Sequence, residues 1–184
     1  MGKKYIKPTD KPINENGCKF GAPRHGGRTH KGIDYLAPKG TDVKASEGGL
    51  VVKSKNKPYV PGGNNNYGET IVIAHTPDVP ENKRHIYTLY AHLDKRLVFA
   101  GRKVRKGETI GISGNSGMKA AYEGKKSGFH LHFEVRDSKT KMDWDRWPRE
   151  HYENPLADYL CQTKTFEYEA PDEETGMDFP KGWF

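Results

Sequence analysis

The sequence predicts a mostly β domain, an antiparallel β-sheet or sandwich with long loops around a groove. Three observations carry that expectation. Hydrophobic residues make up 33% of the 184 residues and mean hydropathy is −0.94, so apolar surface is scarce and the core must be thin. The chain holds 21 Gly and 12 Pro, which call for many turns and disfavour a helical bundle. Short apolar segments recur between turn signals, with no helix pattern between them. With 3 Trp, 10 Tyr and 7 Phe, the chain is too aromatic to be disordered.

Residues 1–17 read as an N-terminal arm, because Pro8, Pro12, Asn14, Asn16 and Gly17 interrupt any period. Strands are then expected at Ile33–Leu36, ended by Pro38-Lys39-Gly40, at Leu50–Val52 after Gly48-Gly49, and at Thr70–Ala74 after a polar stretch. Further strands follow at Ile86–Leu93, Thr109–Ile112 and Phe129–Val135. Asp143–Pro148, with Trp144 and Trp147, reads as a loop packed on one end of the sheet. The domain so outlined spans residues 18–160, and residues 161–184 read as an extended acidic tail.

No apolar run approaches the ~18 residues of a membrane span. Lys7-Pro8-Thr9-Asp10 stands where a signal peptide would carry its apolar stretch, so the chain is expected to be made in the cytoplasm. The net charge is +7, but the tail holds two Lys against six Asp or Glu, leaving 29 basic and 18 acidic side chains, or +11, on residues 1–160. Such a body favours a polyanion: nucleic acid, an anionic membrane surface or an acidic wall polymer. Cys18 and Cys161 are too few for a disulfide framework; both two reduced thiols and one bridge joining the ends of the domain are compatible with their positions.

The chemistry-bearing residues fall in three places. In Phe129–Arg136, Phe129, Leu131, Phe133 and Val135 take one face of a strand, while His130, His132, Glu134 and Arg136 take the other. Two imidazoles ~7 Å apart along one face can lean towards one point. His30 and Asp34 lie four apart around Gly32, too far apart on a straight strand, and Gly32 lets the chain bend. Two nitrogens and a carboxylate oxygen with a vacant fourth position suit catalytic zinc; copper and iron are not excluded by the residues alone. In Tyr87–Leu93, Thr88, Tyr90 and His92 are expected to share a face opposite Leu89, Ala91 and Leu93.

The ordered set His30-x-x-x-Asp34, Leu89-Tyr90-Ala91-His92-Leu93 and His130-Leu131-His132-Phe133-Glu134-Val135 resembles the lysostaphin/LytM-type zinc endopeptidases. Phe20-Gly21, Val104-x-Lys106-Gly107-Glu108-Thr109-Ile110-Gly111 and Ser113-Gly114-Asn115-Ser116-Gly117 match as well, and the resemblance ends near Asn154-Pro155-Leu156. It implies one zinc per chain held by His30, Asp34 and His132, with His92 and His130 as the unligated pair that handles protons and steadies the oxyanion. It implies a peptidoglycan endopeptidase. Asn64-Asn65-Asn66-Tyr67 reads as a loop at the groove's rim, where Asn66 and Tyr67 either bind substrate or turn the chain; Asn115 is expected along the same groove, and Glu134 at the surface or behind the ligands.

Departures from the pattern lie where substrate would be held. Met118–Ser127 is longer than the usual connection, Phe129 stands where Pro is common, and Arg24 stands where some members carry Tyr. Asp137–Glu153 intervenes before Asn154. His25, His75, His85 and His151 lack a motif partner and read as surface residues.

A basic catalytic domain with no visible signal segment reads as a phage endolysin or virion-associated lysin, monomeric, acting on the cell wall after lysis. The alternatives are a bacterial wall-remodelling endopeptidase lacking its signal segment and a non-hydrolytic zinc-bearing wall-binding module. No nucleic-acid-binding motif is present.

Overall fold

The computed structural model describes residues 5–14, 19–24, 27–63, 66–75 and 85–138. Cys18, Cys161, His25, His151, Trp144, Trp147 and the tail at 161–184 lie outside the described residues.

Among the described residues, ten strands and one short helix follow in chain order. They are β1 (Pro23–Arg24), β2 (Arg28–Thr29), β3 (Ile33–Tyr35), β4 (Asp42–Lys44), β5 (Gly49–Lys57), β6 (Gly68–Ala74), β7 (His85–Arg96), β8 (Lys103–Val104), β9 (Thr109–Ser113), α1 (Lys119–Tyr122) and β10 (Leu131–Ser138). β1 and β2 form a two-stranded hairpin. The rest make one antiparallel sheet in the order β3-β10-β7-β6-β5-β8, with β9 pairing both β7 and β4. The mostly antiparallel β expectation therefore holds, and each expected strand overlaps an observed one, although β3 stops before Leu36 and β10 begins after Phe129 and His130. Short β1, β2, β4 and β8 carry too few residues to show a period, and α1 falls in the long Met118–Ser127 connection, where no helix was expected.

The main core lies on one face of the sheet, where Ile33, Tyr35, Val51, Ile71, Tyr90, Leu93, Ile110, Leu131 and Phe133 pack together. A smaller cluster of Val72, Ala74, Tyr87, Leu89 and Ala91 occupies the other face. Directly paired residues of antiparallel strands project to the same side, and Phe133 pairs Tyr90 while His132 pairs Ala91 and Glu134 pairs Leu89. Tyr90 thus joins the main core, and Ala91 and Leu89 share the side of His132. The expected polar face of Thr88 and Tyr90 is a buried face instead. Apolar layers on both sides of β7 erase the simple in-out pattern. His75 and His85 are also buried, at 4% and 2% exposure, which corrects their reading as surface residues; His75 bonds the Gly48 carbonyl and the Thr88 hydroxyl.

Residues 5–14, within the expected arm, lie along the sheet. Asn14 donates to the Asp34 carbonyl, Leu36 to Pro12, Lys44 to Pro8 and Ile6 to Ser46. Tyr5 and Ile6 are buried. The segment covers the open edge of β3, which would otherwise present unpaired backbone groups.

Candidate metal centre

His30, Asp34 and His132 are each buried and bring one ligand atom apiece into a single cluster. Asp34 lies on β3 directly opposite His132 on β10. His30 reaches the same place from the turn after β2, where its backbone is tied to Gly21 and Ala22. The close approach depends on Gly32. A Cβ there would stand 2.3 Å from the Phe133 carbonyl oxygen and 2.9 Å from His132 Cε1. The chain bends at Gly32, as expected, and the absence of a side chain there also leaves the space that close packing against β10 needs.

The three atoms form a triangle. His30 Nε2 is 3.0 Å from His132 Nδ1 and 3.1 Å from Asp34 Oδ1, and His132 Nδ1 is 2.8 Å from Asp34 Oδ1. Nitrogen and oxygen ligands of a tetrahedral zinc, each ~2.0–2.1 Å from the ion, stand about 3.3 Å apart. The donor set and its spacing therefore fit a three-ligand zinc site.

Each ligand is oriented from behind, as metal-binding histidines require. His30 Nδ1 donates to the Lys19 carbonyl at 3.0 Å, so Nε2 faces the cluster with its lone pair. His132 Nε2 donates to Glu134 Oε1 at 2.8 Å, directing Nδ1 inward. Glu134 is not at the surface: it is 1% exposed, accepts the Tyr67 hydroxyl at 2.7 Å and is paired with Arg136. Tyr67 also stacks obliquely on His132, with ring centroids 5.7 Å apart. The polar face of β10 is thus roofed by protein.

Charge follows from this arrangement. Burial pushes the Asp34 carboxyl up, but hydrogen bonds from His132 and His30 outweigh it and hold the group far below the usual carboxylate range. Burial opposes charge on His132 too, yet its bonds to Asp34 and Glu134 raise it to about 9. Glu134, buried but facing Arg136 and His132, falls to about 2. A proton on His132 Nδ1 occupies the position a metal ion would take.

His92 and His130 stand beside the triangle. His130 is held by an Nδ1–H bond to the Gly128 carbonyl at 2.8 Å, and its Nε2 lies 3.9 Å from Asp34 Oδ1. His92 donates from Nδ1 to the Ser116 carbonyl at 2.8 Å. His92 has φ 59°, and there β7 leaves β10, with which Ala91 pairs His132, for β9, where Leu93 pairs Ser113. On a straight strand His92 would point with Tyr90 into the main core. The left-handed residue turns its ring to the site, 6.0 Å from His132. A left-handed backbone at a non-glycine residue costs free energy, which the surrounding contacts must offset.

The loops on either side are fastened by the residues expected along the groove. The Asn66 amide donates to the Pro58 carbonyl and Asn115 to the Ser127 carbonyl, so both side chains brace loops. Gly117, at φ 74°, lies where a Cβ would meet Gly68 N at 2.3 Å. Arg24, which departs from the family pattern in the sequence, donates from its guanidinium to Asp34 Oδ2 at 3.1 Å. Its place six residues before His30 was the one available signal.

Residues 28–144 match the family model described as peptidase family M23. The chain is 38% identical over 106 residues to the peptidoglycan DD-endopeptidase ShyA of Vibrio cholerae, covering 58% of this chain and 20% of that protein. It is 39% identical over 112 residues to the DD-carboxypeptidase/endopeptidase Mpg of Neisseria meningitidis, covering 61% and 21%. The chain thus spans about a fifth of the length of these relatives. Among solved structures, a zinc-containing peptidase from Vibrio cholerae superposes with a TM-score of 0.54 at 28% identity, over 77% of this chain and 40% of that one.

Proposed function

Because this chain belongs to peptidase family M23, we propose that it is a zinc-dependent endopeptidase hydrolysing peptide bonds in peptidoglycan stem peptides or cross-bridges. The observation that carries this reading is the buried triangle of His30, Asp34 and His132 with two further imidazoles beside it. Zinc bound there would supply a Lewis acid and a water acidified towards neutral pH.

The chain's own residues do the rest. With Nδ1–H spent on backbone carbonyls, His92 and His130 both present Nε2 as a lone pair. Each can take a proton at Nε2 and return it; neither donates from Nε2 beforehand. His130 is the more exposed ring, at 18%, and we assign it the proton from the attacking water, to be passed to the departing amine. His92 is drawn down to about 3 by burial and by the neighbouring imidazoles, so it accepts a hydrogen bond and aligns that water or the amine. The basic body would bring the domain to an anionic wall.

The relatives' names, DD-endopeptidase and DD-carboxypeptidase/endopeptidase, favour D-Ala beside the scissile bond. A phage lysin and a wall-remodelling peptidase would use this site alike. Digestion of purified walls, read by mass spectrometry, tests the assignment. Cross-linked muropeptide dimers should become monomers with glycan lengths unchanged, whereas new reducing sugar ends or stem-free glycan would sink it.

A further inference from the structure

The triangle uses one oxygen of Asp34; the other faces Arg24. The Arg24 Nη2 group donates to Asp34 Oδ2 at 3.1 Å, spending one of the five N–H groups a guanidinium carries. No other partner of Arg24 is found among the described residues, and the side chain is 37% exposed. The buried Arg136, by contrast, is held by bonds to both Glu134 and Tyr67. Arg24 is instead half open at the lip of the metal centre.

Resting on the endopeptidase reading, we infer that Arg24 anchors a free α-carboxylate on the amine side of the scissile amide. The carboxylate carbon of such a residue is three bonds from the attacked carbon, within about 4 Å. A peptide carbon held at the metal cluster therefore places that carboxylate against a side chain in contact with Asp34. The substrate class follows. A D-Ala joined to the D-amino centre of a diamino acid carries this carboxylate, as does a terminal D-Ala. A glycine inside a bridge does not. One arginine then selects carboxylate-bearing cross-links over internal glycine bonds.

The test uses one muropeptide dimer in two forms, with the carboxylate next to the scissile nitrogen free or converted to its carboxamide. The zinc-loaded chain should prefer the acid roughly ten- to hundredfold in kcat/KM, the range of a charge-assisted hydrogen bond, with the difference in KM. Arg24→Gln should bring the two within about twofold at unchanged zinc content, and Arg24→Lys should recover part of the preference. An equal loss on both substrates would show that Arg24 only steadies Asp34, and would overturn the inference. Binding of the same pair to the His130→Ala chain, followed by NMR, separates this inference from the activity. Arg24-dependent preference without cleavage by the wild-type chain leaves the anchor standing and sinks the endopeptidase. Cleavage without any acid preference does the reverse.

Discussion

The rings of His92 and His130 stand with centroids 4.6 Å apart and planes at 49°. Each is clamped through Nδ1 to a carbonyl of a loop, Ser116 for one and Gly128 for the other. Neither bonds His30, Asp34 or His132 directly at ligand distance. His92→Ala and His130→Ala should therefore keep the metal and lose turnover, each by ~10²–10⁴-fold. His92→Asn, whose short amide tolerates φ 59°, should be folded at least as well as His92→Ala yet equally inactive. Elemental analysis beside kinetics decides it. Loss of metal from either alanine variant would assign that histidine to the ligand set.

The ligand set itself predicts about one zinc per wild-type chain. His30→Ala, Asp34→Ala and His132→Ala should each abolish stoichiometric binding, and chelation of the wild type should lower its melting temperature. Full occupancy in Asp34→Ala would refute the triangle.

Glu134 connects His132 to the buried Arg136. Glu134→Ala leaves a cation buried without its carboxylate and should cost about 3–5 kcal/mol in denaturant unfolding. Glu134→Gln keeps the shape but weakens the bond behind His132. It should lower zinc affinity by ~10–100-fold, measured against a competing chelator.

Gly32→Ala tests the packing. Its Cβ would press on the Phe133 carbonyl at 2.3 Å, so β3 must shift from β10 and carry Asp34 away from His132. A destabilisation of about 1–3 kcal/mol is expected, together with weakened metal binding. Wild-type affinity in a folded Gly32→Ala chain would show that the β3–β10 spacing is not what sets the triangle.

The metal-free chain should have a distinctive pH profile. His132 is raised from 6.5 to about 9, so its stabilising proton is fully present below pH 6.5 and lost as pH rises through 9. Glu134 is lowered from 4.5 to about 2, so its contribution is present above pH 4.5 and lost as pH falls towards 2. Metal uptake between pH 6.5 and 9 should expel the His132 Nδ1 proton. Calorimetry in buffers of different ionisation heat should read about one proton released per metal at pH 7.5; none released would contradict the charge state of His132.

The alternation of Leu131, Phe133 and Val135 with His132 and Glu134 is a local period of two, and the sequence alone determined which side each takes on β10. The same holds for the positions of the long strands and for the spacing that set His30 and Asp34 around a glycine. The orientation of His92 was not legible. By period it belongs with Tyr90, and only the left-handed turn where β7 exchanges β10 for β9 brings it to the metal side. Nor did the sequence disclose that Glu134 and Arg136 lie under Tyr67, or that Arg24 meets Asp34. A side-chain period is fixed by bonds between neighbours along the chain. The sign of φ at a strand crossing, and the roof over a polar face, are fixed by residues tens of positions away, through contacts that form only when the sheet closes.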